Sequence, residues 1–138
     1  MKRITARGII INNDEIILMY RRKKTDGIVK EYYAIPGGHI EDNETIEDCL
    51  IREIKEEFSI NVEISDFLGI VNKGEREEHL YLCKWISGNL KLGGEEKERN
   101  NDDNYYEIRR VKIDDIDKID LYEENLNLIK KALKILEK

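Results

Sequence analysis

The stretch PGGHIEDNETIEDCLIREIKEEF, Pro36 to Phe58, holds the only proline of the chain, two glycines behind it, and then apolar residues at Ile46, Leu50, Ile54 and Phe58. A recurrence every fourth residue is helical, and Pro-Gly-Gly ends whatever strand precedes it. Asn43 is the expected cap. With Ile51 the apolar residues fill an arc of roughly 140°, which should face a sheet. Glu53, Glu56 and Glu57 are expected on the adjoining arc. They sit at the helix end whose dipole is negative, and each like-charged pair within one turn costs about 0.2–0.5 kcal/mol. Arg52 meets Glu56 four residues on, but Lys55 projects from another face, so no side chain of the helix bridges all three acids. A cation is missing. Magnesium, or manganese, suits the vacancy, because hard divalent ions take carboxylate oxygens and share their remaining positions with waters and phosphates. The competing reading is a solvated acidic face of no special function.

Working outward, RITARGIII, NND and EIILMYRRK read as two strands joined by a tight turn, and EYYAI as a short strand running into the proline. INVEISDFLGIV, EEHLYLCKWI and YYEIRRVKI are strand-like. The segment from Ser87 to Asn104 reads as a short strand followed by a long polar loop. From Glu123 to Lys138, Leu126, Ile129, Leu133 and Leu136 recur at helical spacing. The expected order is β-β-β-α-β-β-β-α, an α/β (α+β) architecture with helices packed on a sheet. The last helix should cover that sheet; a partner-binding seam is the weaker reading.

Residues 1–138 are expected to form a single domain, large enough for a core without disulfides. Charged residues make up 39 % of the chain, against about one quarter in ordinary globular proteins, and the net charge is -6. That balance argues against nucleic-acid polymers and leaves small anionic ligands open. Cys49 and Cys83 have no metal-binding spacing and are expected to be free thiols in a reducing compartment. No segment is apolar enough to span a bilayer, so a cytoplasmic location is expected.

Gly38, five residues, Glu44, seven residues, then Arg52-Glu53-Ile54-Lys55-Glu56-Glu57-Phe58-Ser59-Ile60 resembles the Nudix box, G-x5-E-x7-R-E-U-x-E-E-x-G-U with U aliphatic. Chain length and element order resemble a small MutT-like Nudix domain as well. The resemblance implies an α/β/α sandwich around a mixed sheet, with the box as loop, helix and loop. It makes Glu53, Glu56 and Glu57 ligands of Mg2+ (or Mn2+), with a carbonyl of Gly37 or Gly38 adding an oxygen. By the same resemblance Arg52 and Glu44 would form an ion pair that holds loop to helix. The implied reaction is hydrolysis of a nucleoside diphosphate linked to a group X, with Glu53, Arg52 and Glu44 as the catalytic set and Glu53 the first choice of base; Glu95, Glu96 and Glu98 are the alternatives. Ser59 stands where the family carries glycine, and a serine in the left-handed region costs about 1 kcal/mol.

Arg7, Arg21 and Arg22 are candidates for phosphate oxygens, and Tyr33 with Tyr32, Tyr105 and Tyr106 for stacking on a base. Arg7 stands out because it interrupts an apolar strand. His39 and His79 receive no role. No proline follows Ile60 and the first tyrosine after it is Tyr81, which disfavours ADP-ribose and dinucleoside polyphosphates by the family's markers and leaves a nucleoside triphosphate, oxidised or not, as the first choice. A nucleotide-binding regulatory module without turnover is the alternative; intact Arg52, Glu53, Glu56 and Glu57 count against it. A monomer or a homodimer fits equally.

Overall fold

The computed structural model describes residues 2–137. Two strands, β1 (Arg3–Asn12) and β2 (Glu15–Thr25), form the expected hairpin, and its turn places Asn13 and Asp14 at φ 51° and 62°. Both positive angles are what a two-residue hairpin turn demands, and Asn and Asp tolerate them. Next come β3 (Ile28–Ala34), a short β4 (Gly37–His39), α1 (Ile46–Phe58), β5 (Ile60–Lys73), β6 (Arg76–Gly88), α2 (Gly94–Arg99), β7 (Asn104–Lys112), a 3₁₀ turn (Ile113–Lys118) and α3 (Glu123–Leu136).

The sheet order is β3-β2-β1-β6-β5, with β4 added beside β1 and β7 beside β2. Strand β1 is the joint. Its residues Arg3 to Ile10 run parallel to β6, Thr5 to Arg7 also pair antiparallel with β4, and only Ile11 and Asn12 pair with β2. Because successive side chains on a strand face opposite ways, β1 and β6 feed two cores. On one face Ala6, Ile10, Tyr81 and Cys83 meet Leu50, Ile54 and Phe58 of α1. On the other, Ile9, Leu80 and Leu82 meet Ile129 and Ala132 of α3. Each fully buried Leu, Ile or Phe among these contributes about 1.5–3 kcal/mol. The result is the three-layered mixed sheet with helices on both sides.

Several expectations need correcting. Thr45, not Asn43, caps α1: its Oγ1 accepts the N–H of Asp48 at 3.0 Å, while Asn43 sits at φ 66° in the turn ahead. The buried arc of α1 takes in Cys49 and Glu57, and Ile51 at its edge is 38 % exposed. Glu57 is eleven residues beyond Ile46, about 20° around the axis from it, and so shares its face. Leu136, expected on the buried stripe of α3, is 52 % exposed; Lys138 lies outside the described residues. The polar loop folds further than expected, since β6 runs on to Gly88 and Gly94–Arg99 is helical.

Ser59 ends α1 at φ 63°, ψ 24°, the conformation glycine would take. Its Oγ donates to the carbonyl of Lys91 at 2.8 Å, which offsets the strain and ties the helix end to the segment leading into α2. Cys49 and Cys83 are buried free thiols, both pushed up to about 12 chiefly by burial. Among the described residues no helix is long and apolar enough to cross a membrane.

Candidate active site

The last two turns of α1, β4 and α2 converge on one side of a cleft of about 940 Å³. Gly38 is where β4 passes closest to the helix. A Cβ there would lie 2.3 Å from the carboxyl carbon of Glu53, so any larger residue would displace the acid or the strand. One residue earlier, the N–H of Gly37 donates to Glu57 Oε2 at 3.1 Å, with Gly37 at φ 151°.

Arg52 organises the acids more widely than helical spacing implies. It donates twice to Glu44, Nε at 2.6 Å and Nη2 at 3.1 Å, and its Nη1 reaches Glu53 at 3.1 Å and Glu56 at 3.2 Å. Those bonds hold Glu44 down at about 2 and keep Arg52 well above its usual range. Arg52 thus meets Glu56 as expected and Glu53 besides, so the expectation of a missing cation narrows to the third acid. It holds for Glu57, which is 8 % exposed and, among the described residues, takes only a backbone N–H. Burial, then the charges of Glu96 and Glu53, push the Glu57 carboxyl well above the ordinary range. Burial likewise raises Glu53, against the pull of Arg52.

The alternative glutamates separate here. Glu95 and Glu96 line the cleft; Glu98 does not. Gly93 sets this, because its N–H donates to the carbonyl of Glu57 at 3.0 Å and a Cβ on it would lie 2.5 Å from the carbonyl oxygen of Glu56. Glycine lets α2 dock against the end of α1.

Of the other candidates, Arg7, Arg21, Tyr32, Tyr33 and Tyr106 line the cleft, whereas Arg22 and Tyr105 lie outside it, stacked on each other. Arg21 sits over the ring of Tyr106, 3.7 Å from its centre, and donates to Asn104 at 2.6 Å. Tyr33 accepts from Arg109 at 3.0 Å. Arg7 donates to Glu78 at 3.0 Å and to the carbonyl of Ile35 at 2.9 Å. His39 contacts the Thr5 hydroxyl through Nδ1 at 3.0 Å, and His79 pairs with Glu77 outside the cleft.

Sequence reasoning missed Lys73, Arg76, Glu78 and Asn125, which line the same cleft. Glu78 had a signal: in EEHLYLC it alternates with Leu80 and Leu82, both buried, so period two puts a carboxylate in the core.

Among the described residues no three His, Cys, Asp or Glu side chains stand together at metal-ligating separation. The donor set nonetheless suits a hard divalent ion. Glu57 is buried with its charge opposed by two neighbouring carboxylates, which is the environment a bound cation relieves.

The family description NUDIX domain matches residues 1–132. The chain is 34 % identical over 95 residues to an ADP-ribose pyrophosphatase of Methanocaldococcus jannaschii, a match covering 64 % of this chain and 55 % of that protein. It is 39 % identical over 55 residues to an 8-oxo-dGTP diphosphatase of Proteus vulgaris, covering 40 % of this chain and 49 % of that one. The matched region thus spans about half the length of either relative. Among solved structures, a MutT NUDIX hydrolase from Burkholderia pseudomallei superposes with a TM-score of 0.71 at 21 % identity, over 93 % of this chain and 96 % of its own.

Proposed function

Because the chain belongs to the NUDIX domain family, we propose that it hydrolyses a phosphoanhydride bond in a nucleoside diphosphate linked to a group X, with Mg2+ or Mn2+ as cofactor. The observation that carries this reading is that Glu53, Glu56 and Glu57 line one cleft together with arginine side chains, Glu53 against Gly38 and Glu57 on the Gly37 N–H. Glu53, Glu56 and Glu57 would hold the ion, which when bound supplies positive charge to the diphosphate oxygens and acidifies the attacking water.

The rest falls to the chain itself. Glu44 grips Arg52 through two hydrogen bonds, and Arg52 in turn fixes one oxygen of Glu53, so the carboxylate arrives oriented. Glu53, its basicity raised by burial, accepts the proton of the attacking water. Glu96, held at the cleft by the docking of α2, is the base to test if Glu53 proves dispensable.

A nucleoside triphosphate, oxidised or not, is the first substrate to test, in keeping with the diphosphatase relative. The archaeal relative is named for ADP-ribose, so that compound belongs in the same screen although the missing proline disfavours it. Product masses after incubation with each compound, with Mg2+ and with a chelator, decide the reading. Turnover should need the metal; turnover undiminished by exhaustive chelation would sink it. A protein that binds the nucleotides and leaves them intact would establish the regulatory alternative. Two buried, free thiols suit a reducing cytoplasm as the setting.

A further inference from the structure

The cleft extends past the acidic box residues to a second buried glutamate. Glu78 is fully buried on β6, opposite Thr5 of β1, on the α3 side of the sheet. Three cations surround it: Arg7 Nε at 3.0 Å, Lys73 Nζ at 3.1 Å and Arg76 Nε at 3.2 Å. One carboxylate neutralises one of them. Asp120 also lines this end, and one positive charge still remains in excess.

Among the described residues no carboxylate other than Glu78 pairs with these three cations. Arg76 Nε is buried without a hydrogen bond of proper alignment, although it lies beside Glu78. Lys73 leans on the ring of Tyr122, 4.4 Å from its centre. The positive field reaches into the cleft, where, after burial, Arg3, Arg7 and Arg76 lower the pKa of His39 next to the Gly-Gly turn. A second observation comes from α3. Asn125 is only 5 % exposed, lines this end of the cleft, and its side-chain carbonyl has no hydrogen-bond partner among the described residues. A buried polar group left unpaired is costly, so a ligand that supplies a donor there is favoured.

We propose that Arg7, Lys73 and Arg76, pinned in place by Glu78, form an anion subsite for a phosphate carried on group X, apart from the scissile diphosphate, with Asn125 accepting from a hydroxyl next to that phosphate. The ligand class is a phosphorylated sugar or polyol. Guanidinium groups suit phosphate because their planar donors match two of its oxygens. This inference rests on the hydrolase reading but takes X to be a phosphorylated sugar or polyol in place of the bare phosphate of a nucleoside triphosphate, while the subsite itself depends only on binding.

The test has two arms. With metal chelated, inorganic phosphate is titrated while backbone amide resonances are followed; those of Lys73, Arg76 and Asn125 should shift, and Arg76→Gln should weaken the binding about tenfold. Lys73→Gln is the second variant, each checked by its melting curve, so that one misfolded protein does not decide. The other arm compares kcat/KM for ADP-ribose and for ADP-ribose phosphorylated on its distal ribose. The ratio should favour the phosphorylated compound and fall about tenfold in Arg76→Gln. Absence of shifts at Lys73 and Arg76, or unaltered binding in both variants, overturns the subsite whether or not diphosphates are cleaved. Phosphate binding with an unaltered ratio overturns it too, since the anion would then be free phosphate and not part of the substrate. Lack of any turnover strikes the hydrolase reading alone.

Discussion

Glu57 and Glu78 are both carboxylates in the protein interior, one under α1 and one on the α3 side, yet their surroundings drive them apart. Glu57 has two carboxylate neighbours and a single backbone donor, and its pKa is raised, by burial first. Glu78 is buried more completely, but Arg7 and Lys73 outweigh the burial and its pKa is lowered. Burial by itself therefore does not decide the charge state; the sign of what is buried alongside does. One cleft thus has an end that calls for a cation and an end that calls for an anion.

The largest effect expected from disturbing the first end is on rate. Glu53→Gln should reduce turnover by about 10²–10⁴-fold while the melting temperature barely moves. The variant loses charge in its bond to Arg52 but escapes the repulsion of Glu56 and the penalty of burial, and these offset. Wild-type rates in a well-folded variant would transfer the role of base to Glu96.

For stability the two ends should respond in opposite directions. Glu78→Leu strands three cations and should destabilise the fold by about 3 kcal/mol in denaturant titrations, near the low end for a broken buried pair because the cations are partly exposed. Glu57→Gln removes an opposed charge, so the metal-free protein should be as stable as the parent or more so, and the rise in melting temperature on adding Mg2+ should shrink. Equal destabilisation by both would erase the contrast; an unaltered metal response would remove Glu57 from the ligand set.

Acid sharpens the comparison further. A carboxylate whose folded pKa lies below its unfolded value contributes stability above the unfolded pKa, and that contribution is lost as pH falls through the folded one. Glu78, lowered from 4.5, and Glu44, at about 2, should therefore make metal-free protein lose stability below about pH 4.5. Glu78→Gln should flatten that loss in melts between pH 3 and 6, a range set by these carboxylates. A profile identical to the parent's would show that Glu78 is not the titrating group. The smallest effect is expected from Ser59→Gly, which relieves the left-handed backbone but gives up the bond to Lys91, leaving a change under about 1 kcal/mol. It serves as a control at the end of α1 that touches neither carboxylate.

Much of this was legible in the chain. The hairpin turn, the strand ending at Pro36 and the helix over Ile46–Phe58 depend on φ preferences and periodicity within a few residues, which local sequence controls. Helical geometry alone puts Glu53, Glu56 and Glu57 within one turn of each other, and the same 100° step, applied strictly, turns Glu57 inward beneath Ile46. The alternating pattern around Glu78 likewise announces a carboxylate in the core.

What surrounds those carboxylates was decided by the tertiary structure. Arg7 meets Glu78 across 71 positions of sequence only because β1 lies parallel to β6 with Thr5 opposite Glu78, and a slip of one residue would turn Glu78 to the other face. Gly38 faces Glu53 because β4 adds to β1, and Asn125 reaches the cleft because α3 packs behind the same strands. Spacing along a helix is a property of the nearest few bonds. Strand register and layer packing are set by the whole core at once, so the charges that meet across the cleft cannot be read from either segment alone.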